Sequence, residues 1–154
     1  MWNYSGTRAI VAGAGGIGGA VTEALANAGA DVAVLDIDAD AVAKLSRVRT
    51  AEGLGDVFGV PADLTSADAC RDAVGRAAER LGGLDVFVHA VGANDRRPVL
   101  ETPDEVWERI VAINLSSAFW LGRAAGARMV AGGYGRIVYL SSVSGLLAHK
   151  DHAP

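Results

Sequence analysis

The chain has 154 residues, with 14 basic and 18 acidic side chains, a net charge of −4 and 51% hydrophobic residues. That length is enough for one domain with a packed core and short for two, so 1–154 reads as a single domain. The acidic balance excludes nucleic acid as a partner, because phosphate binding needs a basic stripe, and no apolar run approaches the roughly 18 residues that cross a membrane.

The opening "MWNYSGTR" lacks the basic-then-apolar order of a signal peptide. Cys70 is the only cysteine, so no internal disulfide can form, and it reads as a small buried residue on a helix. A reducing, cytoplasmic setting is expected. The 20 glycines are about twice the average share. They fall at strand and helix ends, which points to backbone geometry and not to low complexity.

"RAIVAG" (Arg8 to Gly13) is a short apolar run closed by glycine, the pattern of a fully buried strand. Ile17, Ala20, Val21, Ala24, Leu25 and Ala28 then form a helical stripe, and Gly29 supplies its stop. "DVAVLDID" is a second strand, Asp40 to Val48 a second helix, and "DVFGVPADL" a third strand broken by Pro61. Ser66 caps a helix whose stripe is Cys70, Ala73, Val74, Ala77, Ala78 and Leu81. "LDVFVHAVG" is a fourth strand, followed by a loop whose Arg96 and Arg97 read as solvated. Thr102 with Glu105 has the spacing of a capping box, opening a helical stretch that runs through Asn114 to about Ala131. "GRIVYLSS" is a fifth strand. Alternating helices and doubly apolar strands predict an α/β fold, a doubly wound parallel sheet of Rossmann type with helices on both faces. In such sheets ligands bind at the carboxyl ends of the strands.

Between the first strand and first helix stands "VAGAGGIGGAV". Gly13, Gly15 and Gly18 match G-x-G-x-x-G in the first turn of a βαβ unit, with Asp36 at the end of the next strand. Glycines there allow a tight turn, let the backbone approach a pyrophosphate and leave the helix N-terminus facing the anion. The plainer reading of the same glycines is a tight turn kept small for packing. Asp36 can accept from both ribose hydroxyls and would repel a 2′-phosphate, with Asp38 adding to that. No arginine follows the second strand before Arg47, so NAD is favoured over NADP. The expected cofactor contacts here are Gly13, Gly15, Gly16, Ile17, Gly18, Asp36 and Ile37.

With these motifs in register, the chain resembles the short-chain dehydrogenase/reductase family across essentially its whole length. "AGAGGIG" (Ala12 to Gly18) is similar to the family's T-G-x-x-x-G-x-G with Ala for Thr and one residue fewer; Gly13, Gly16 and Gly19 also fit the G-x-x-G-x-x-G of the family's extended branch. "ADL" (Ala62 to Leu64) resembles the pair after strand three, which implies that Asp63 bonds the adenine amino group and Leu64 packs on the ring. "HAVG" (His89, Ala90, Val91, Gly92) stands where the family has Asn-Asn-Ala-Gly, which implies that these four are further cofactor contacts. Two asparagines are absent, and His89 is a candidate substitute for one of them in tying this turn to its neighbours. "INLSS" (Ile113 to Ser117) resembles the family's asparagine segment, implying that Asn114 holds a relay water through its backbone carbonyl. "IVYLSSVSG" (Ile137 to Gly145) resembles the strand that ends at the catalytic serine, with Ser142 in that position.

The resemblance implies more than these residues. The family's Tyr-x-x-x-Lys, its acid/base and the cation that lowers the tyrosine pKa, falls just beyond Pro154. Tyr4, Tyr134 and Tyr139 do not stand in for it. His149, Lys150 and His152 read as a polar loop, and no spacing suggests a metal site. The family's next helix and strand would cover strand five and the 115–131 helix. Without them "RIVYL" is expected to be an exposed edge, and Phe119, Trp120, Leu121 and Met129 an uncovered apolar face that drives self-association. The expectation is therefore an NAD-dependent oxidoreductase interconverting a small secondary alcohol and a ketone, the 154-residue polypeptide itself being nearly inactive. A non-catalytic NAD-binding module and a sugar epimerase or reductase of the extended branch are the alternatives.

Overall fold

The computed structural model describes residues 2–46 and 55–147. In chain order it gives β1 (Arg8–Ala12), α1 (Gly16–Asn27), β2 (Asp31–Asp36), α2 (Ala39–Leu45), β3 (Val57–Pro61), α3 (Ala67–Leu81), β4 (Val86–His89), α4 (Asp104–Val111), a π-helical turn (Ala112–Ser116), α5 (Ser117–Gly132) and β5 (Arg136–Tyr139). The five strands form one sheet in the order β3-β2-β1-β4-β5, with every neighbouring pair parallel.

Strand residues alternate between two cores. Ile10, Ala12, Ala33, Leu35, Phe58, Val60 and Phe87 face α3 and α5, with Cys70, Ala73, Ala77, Leu121 and Ala125 packed over them. Ala9, Val11, Val32, Val34, Val57 and Val88 face the other side, under Ala26 of α1 and Val42 and Leu45 of α2. The chain leaves β1 towards β2 on one face and returns from β3 to β4 on the other. The strand order therefore reverses between β1 and β4, and a crevice opens at their carboxyl ends.

Several expectations are corrected at element ends. The second helix closes at Leu45, not Val48, and is opened by Asp38, whose carboxylate accepts from Asp40 N and Ala41 N; Arg47 and Val48 lie outside the described residues. The capping box at Thr102 does not form. Pro103 is the residue before α4, and the Thr102 hydroxyl instead donates to Pro98 O at 2.9 Å, closing a 3-10 turn over Val99–Glu101. Leu121 and Met129 are buried against α3 and the sheet, and Trp120 packs partly on the same core. The uncovered apolar face is therefore narrower than the sequence suggests, carried by Leu115 in the π-helical turn and Phe119 in α5. Arg97 is not simply solvated, because its guanidinium bonds Asp95 at 2.7 Å. All four residues of β5, the edge strand, are exposed.

At the opposite end of the sheet Arg8 and Asp85 lock β1 to β4. Arg8 Nε and Nη2 donate to the two carboxylate oxygens at 2.8 and 2.7 Å, and Arg8 N adds a third bond at 2.9 Å. The bonded guanidinium holds the Asp85 carboxyl below the ordinary aspartate range, against the opposing pull of burial. A depressed folded pKa means stability that is present above about pH 3.9, the unfolded value, and lost as pH falls through the folded one. Arg8 is partly exposed, so solvent screening keeps the effect small. Asp85→Asn is expected to cost about 1 kcal/mol at pH 7, with parent and variant converging in acid urea titrations. An undiminished difference at the acid end would contradict this linkage.

Candidate functional site

The turn after β1 is shaped by two glycines whose backbones touch. Gly13 has φ +103° and a Cβ there would lie 2.8 Å from Ala90 O, while a Cβ on Gly18 would lie 2.1 Å from Gly13 O. The first turn of α1 thus packs directly on the end of β1, and the β1 turn leans on the β4 turn. Gly15 precedes α1 and no side chain caps its first amides. Nothing stands within 4 Å of where a Cβ on Gly15 or Gly16 would project. The result is an open helix N-terminus with a bare backbone in front of it, suited to an anionic group.

Asp36 closes this turn from the side. Its Oδ2 accepts from Ala14 N at 2.7 Å and its Oδ1 from Asp38 N at 3.0 Å. The carboxylate therefore fixes the path of the shortened glycine loop as well as standing at the rim of the crevice. Asp63 and Leu64 are placed differently. The Asp63 carboxylate is bound by the hydroxyl and amide of Thr65, which lower its pKa, and Leu64 is buried in the core against α3.

On the far side of the crevice, β4 ends at His89. The imidazole is 2% exposed and its Nε2 lies 2.8 Å from Ser117 Oγ; burial pulls its pKa below the ordinary histidine value. The loop that follows is pinned by Asn114, whose Oδ1 accepts from Ala93 N at 2.8 Å and whose Nδ2 donates to Ala93 O at 2.9 Å. Asn114 sits in the π-helical turn between α4 and α5, a local widening that recurs at functional sites. Past the end of β5, Ser142 Oγ accepts from Ser144 N at 3.2 Å and opens a short 3-10 turn.

These pieces surround one cleft of about 900 Å³. Of the residues expected from sequence, Gly13, Gly15, Gly16, Ile17, Asp36, Ile37, Ala90, Val91, Gly92, Asn114 and Ser142 line it. Gly18, His89, Asp63 and Leu64 are not in its walls. Sequence reasoning passed over Ala93, Asn94, Ile113, Leu140, Ser141 and Ser144 of the lining, and Ser117 beneath it. A serine within a helical run is a usable signal, since its hydroxyl bonds backward along the helix, but its partner on β4 is visible only in the fold. Among the described residues no tyrosine lines the cleft and no cluster could hold a metal ion. His149, Lys150 and His152 lie outside the described residues. No described helix is long and apolar enough to cross a membrane.

The sequence model of the short chain dehydrogenases matches residues 7–153. The chain belongs to the short chain dehydrogenase family. Among its relatives, the D-beta-hydroxybutyrate dehydrogenase of Rhizobium meliloti (strain 1021) is 34% identical over 143 residues, covering 92% of this chain and 55% of the relative. The gluconate 5-dehydrogenase of Gluconobacter oxydans (strain 621H) is 32% identical over 155 residues, covering 100% and 60%. A short-chain type dehydrogenase/reductase from Mycobacterium ulcerans superposes with a TM-score of 0.91 at 28% identity, over 98% of this chain and 56% of the other. This short-chain dehydrogenase chain thus spans little more than half the length of these relatives.

Proposed function

We propose that this short-chain dehydrogenase chain is one NAD-binding domain whose cleft serves hydride transfer between the cofactor and a small secondary alcohol or ketone. The observation that carries this reading is the convergence in one cleft of the glycine turn, Asp36, Asn114 and Ser142. A dinucleotide fits the residues present. The bare backbone at Gly15 and Gly16 and the uncapped start of α1 suit a pyrophosphate, and the Asp36 carboxylate at the rim suits a ribose diol and disfavours a 2′-phosphate. Ile17, Ile37, Ala90, Val91 and Gly92 supply apolar and main-chain walls around it. When bound, the nicotinamide supplies or takes up the hydride.

The chain's own part is binding and orientation. The Ser142 hydroxyl accepts from Ser144 N and keeps its proton for a substrate oxygen. The Asn114 side chain is committed to Ala93, which leaves its main-chain carbonyl as the group that faces a proton relay. Exposed β5, with exposed Leu115 of the π-helical turn and Phe119 of α5, supports self-association with a second copy. A second reading, resting on the glycine turn and the open start of α1 alone, is a cofactor-binding module without turnover of its own.

Titrating the 154-residue chain with NADH, followed by nicotinamide fluorescence, tests the reading. Binding in the micromolar range is expected, roughly −8 kcal/mol. No binding of NADH or NADPH at millimolar concentration would overturn both readings, and oxidation of NADH by a simple ketone would overturn the module.

A further inference from the structure

From Asp104 to Gly132 the chain is one helical run with a single register slip, and Asn114 sits in that slip. There the Ser117 N–H reaches back five residues to Ala112 O. In an ordinary α-helix it would bond Ile113 O. The Ser117 hydroxyl takes that acceptor instead, with Oγ 2.6 Å from Ile113 O. Its one proton is then committed, so towards His89 Nε2 the hydroxyl oxygen can only accept. Nε2 therefore carries a proton, and burial, which pulls the ring's pKa down, favours the neutral form with Nδ1 bare. Ser117 and His89 are 0% and 2% exposed, so a broken link would strand two buried polar groups. Around the imidazole, α5 presents Ser117 and β5 presents Tyr139, whose ring centroid is 6.2 Å away. No carboxylate among the described residues pairs with it.

We propose that His89 and Ser117 are positioning residues: the buried hydrogen-bond chain His89–Ser117–Ile113 carbonyl holds the register slip and so sets where Asn114 stands in the cleft. The slip is gripped from two sides, by β4 through His89 and by the following loop through the Asn114–Ala93 pair. Releasing the Ile113 carbonyl lets Ser117 N–H return to the α register. That turns the upstream helix by about 100°, one residue's rotation, and pulls Asn114 off Ala93. The geometry stands without a ligand, while its bearing on cofactor binding rests on the function proposed above.

The test uses the 154-residue chain without cofactor, then with NADH. In the parent, imidazole ¹⁵N shifts at pH 7 should show Nε2 protonated and Nδ1 bare. Ser117→Ala and His89→Leu should speed hydrogen exchange of the Asn114–Ser117 amides and weaken NADH, each about 3- to 10-fold, the reach of one buried hydrogen bond. Ser117→Thr and His89→Gln, which keep the hydroxyl and the distal N–H, should stay within about twofold of the parent. A proton on Nδ1, or equal behaviour of Ser117→Ala and Ser117→Thr, would overturn the proposal. The tautomer is read on the parent, so a variant that fails to fold does not decide the matter. A parent that shows the tautomer and protection but binds no NADH would sink the functional reading alone.

Discussion

Gly18→Ala should destabilise the chain by about 3 kcal/mol, lowering its melting temperature by roughly 6–12 °C. Helix propensity argues the other way. Gly18 lies inside α1, and alanine in a helix interior is favoured over glycine by about 1 kcal/mol. Packing decides the sign. The added methyl would sit 2.1 Å from the Gly13 carbonyl oxygen, where ordinary contact begins near 3.4 Å. That oxygen belongs to a main chain already held by Gly13 N to Leu35 O at 2.8 Å and pressed against Ala90. Neither partner is a flexible side-chain end, so α1 must lift from the sheet, carrying the open helix N-terminus away from the crevice. Gly126→Ala, in α5 with nothing within 4 Å of the added atom, is the control. There propensity acts alone and the variant should gain about 1 kcal/mol. Thermal melts of the two side by side give opposite signs; a stabilised Gly18→Ala would refute the close packing of α1 on β1.

The contrast between these two glycines shows what the sequence could convey. The pattern around Gly13, Gly15 and Gly18 was readable because a fixed spacing follows a buried strand and opens a helix, and backbone geometry is local. The five strands were equally readable, since residues buried on both faces leave continuous apolar runs such as "IVA" and "VAVL". Which glycine is sterically obligatory was not readable, because the atom each would strike lies in another element. Thr102 failed for a related reason. Its hydroxyl donates to Pro98 O, and Pro103, not Thr102, stands immediately before α4, so the helix begins one residue later than the motif requires. Leu121 and Met129 looked exposed only because α3, their cover, is distant in sequence.

His89 marks the same boundary from the other side. Sequence suggested that it replaces a lost asparagine in tying down the β4 turn, and the bond to Ser117 is such a tie. The identity of the partner needed the fold. Asp63 and Leu64 were carried by resemblance alone. In the structure the Thr65 hydroxyl and amide both bond Oδ1 of Asp63 and the core takes Leu64; neither is among the residues that line the cleft. Cys70 behaved as its isolation implied: fully buried on α3, with its thiol pushed up to about 11, first by burial and then by the Asp63 charge, it has no reactive role.

Asp36→Asn should collapse the cofactor preference. The parent is expected to bind NADH at least about tenfold more tightly than NADPH. A carboxylate about 5 Å from a phosphate of nearly two charges costs roughly 1–2 kcal/mol in water-like surroundings. Removing the charge relieves NADPH of that cost. It also weakens NADH by about threefold to tenfold, because a neutral amide oxygen is a poorer acceptor for the ribose hydroxyls. The two shifts act in the same direction and together exceed about tenfold, so the preference for NADH should vanish or reverse. A second effect follows from the loop. Both Asp36 oxygens accept backbone amides, from Ala14 and Asp38, and asparagine has one oxygen to offer, so one amide loses its partner. If it is Ala14 N, the glycine loop loosens and both cofactors weaken together. Asp38→Asn separates charge from contact. Asparagine caps α2 as well as aspartate does, so that variant removes a neighbouring charge without disturbing loop or ribose, and should shift the ratio by only about twofold. Equal affinities in the parent, or a ratio that ignores Asp36→Asn, would mean that discrimination lies elsewhere and that the Asp36 carboxylate serves the glycine loop alone.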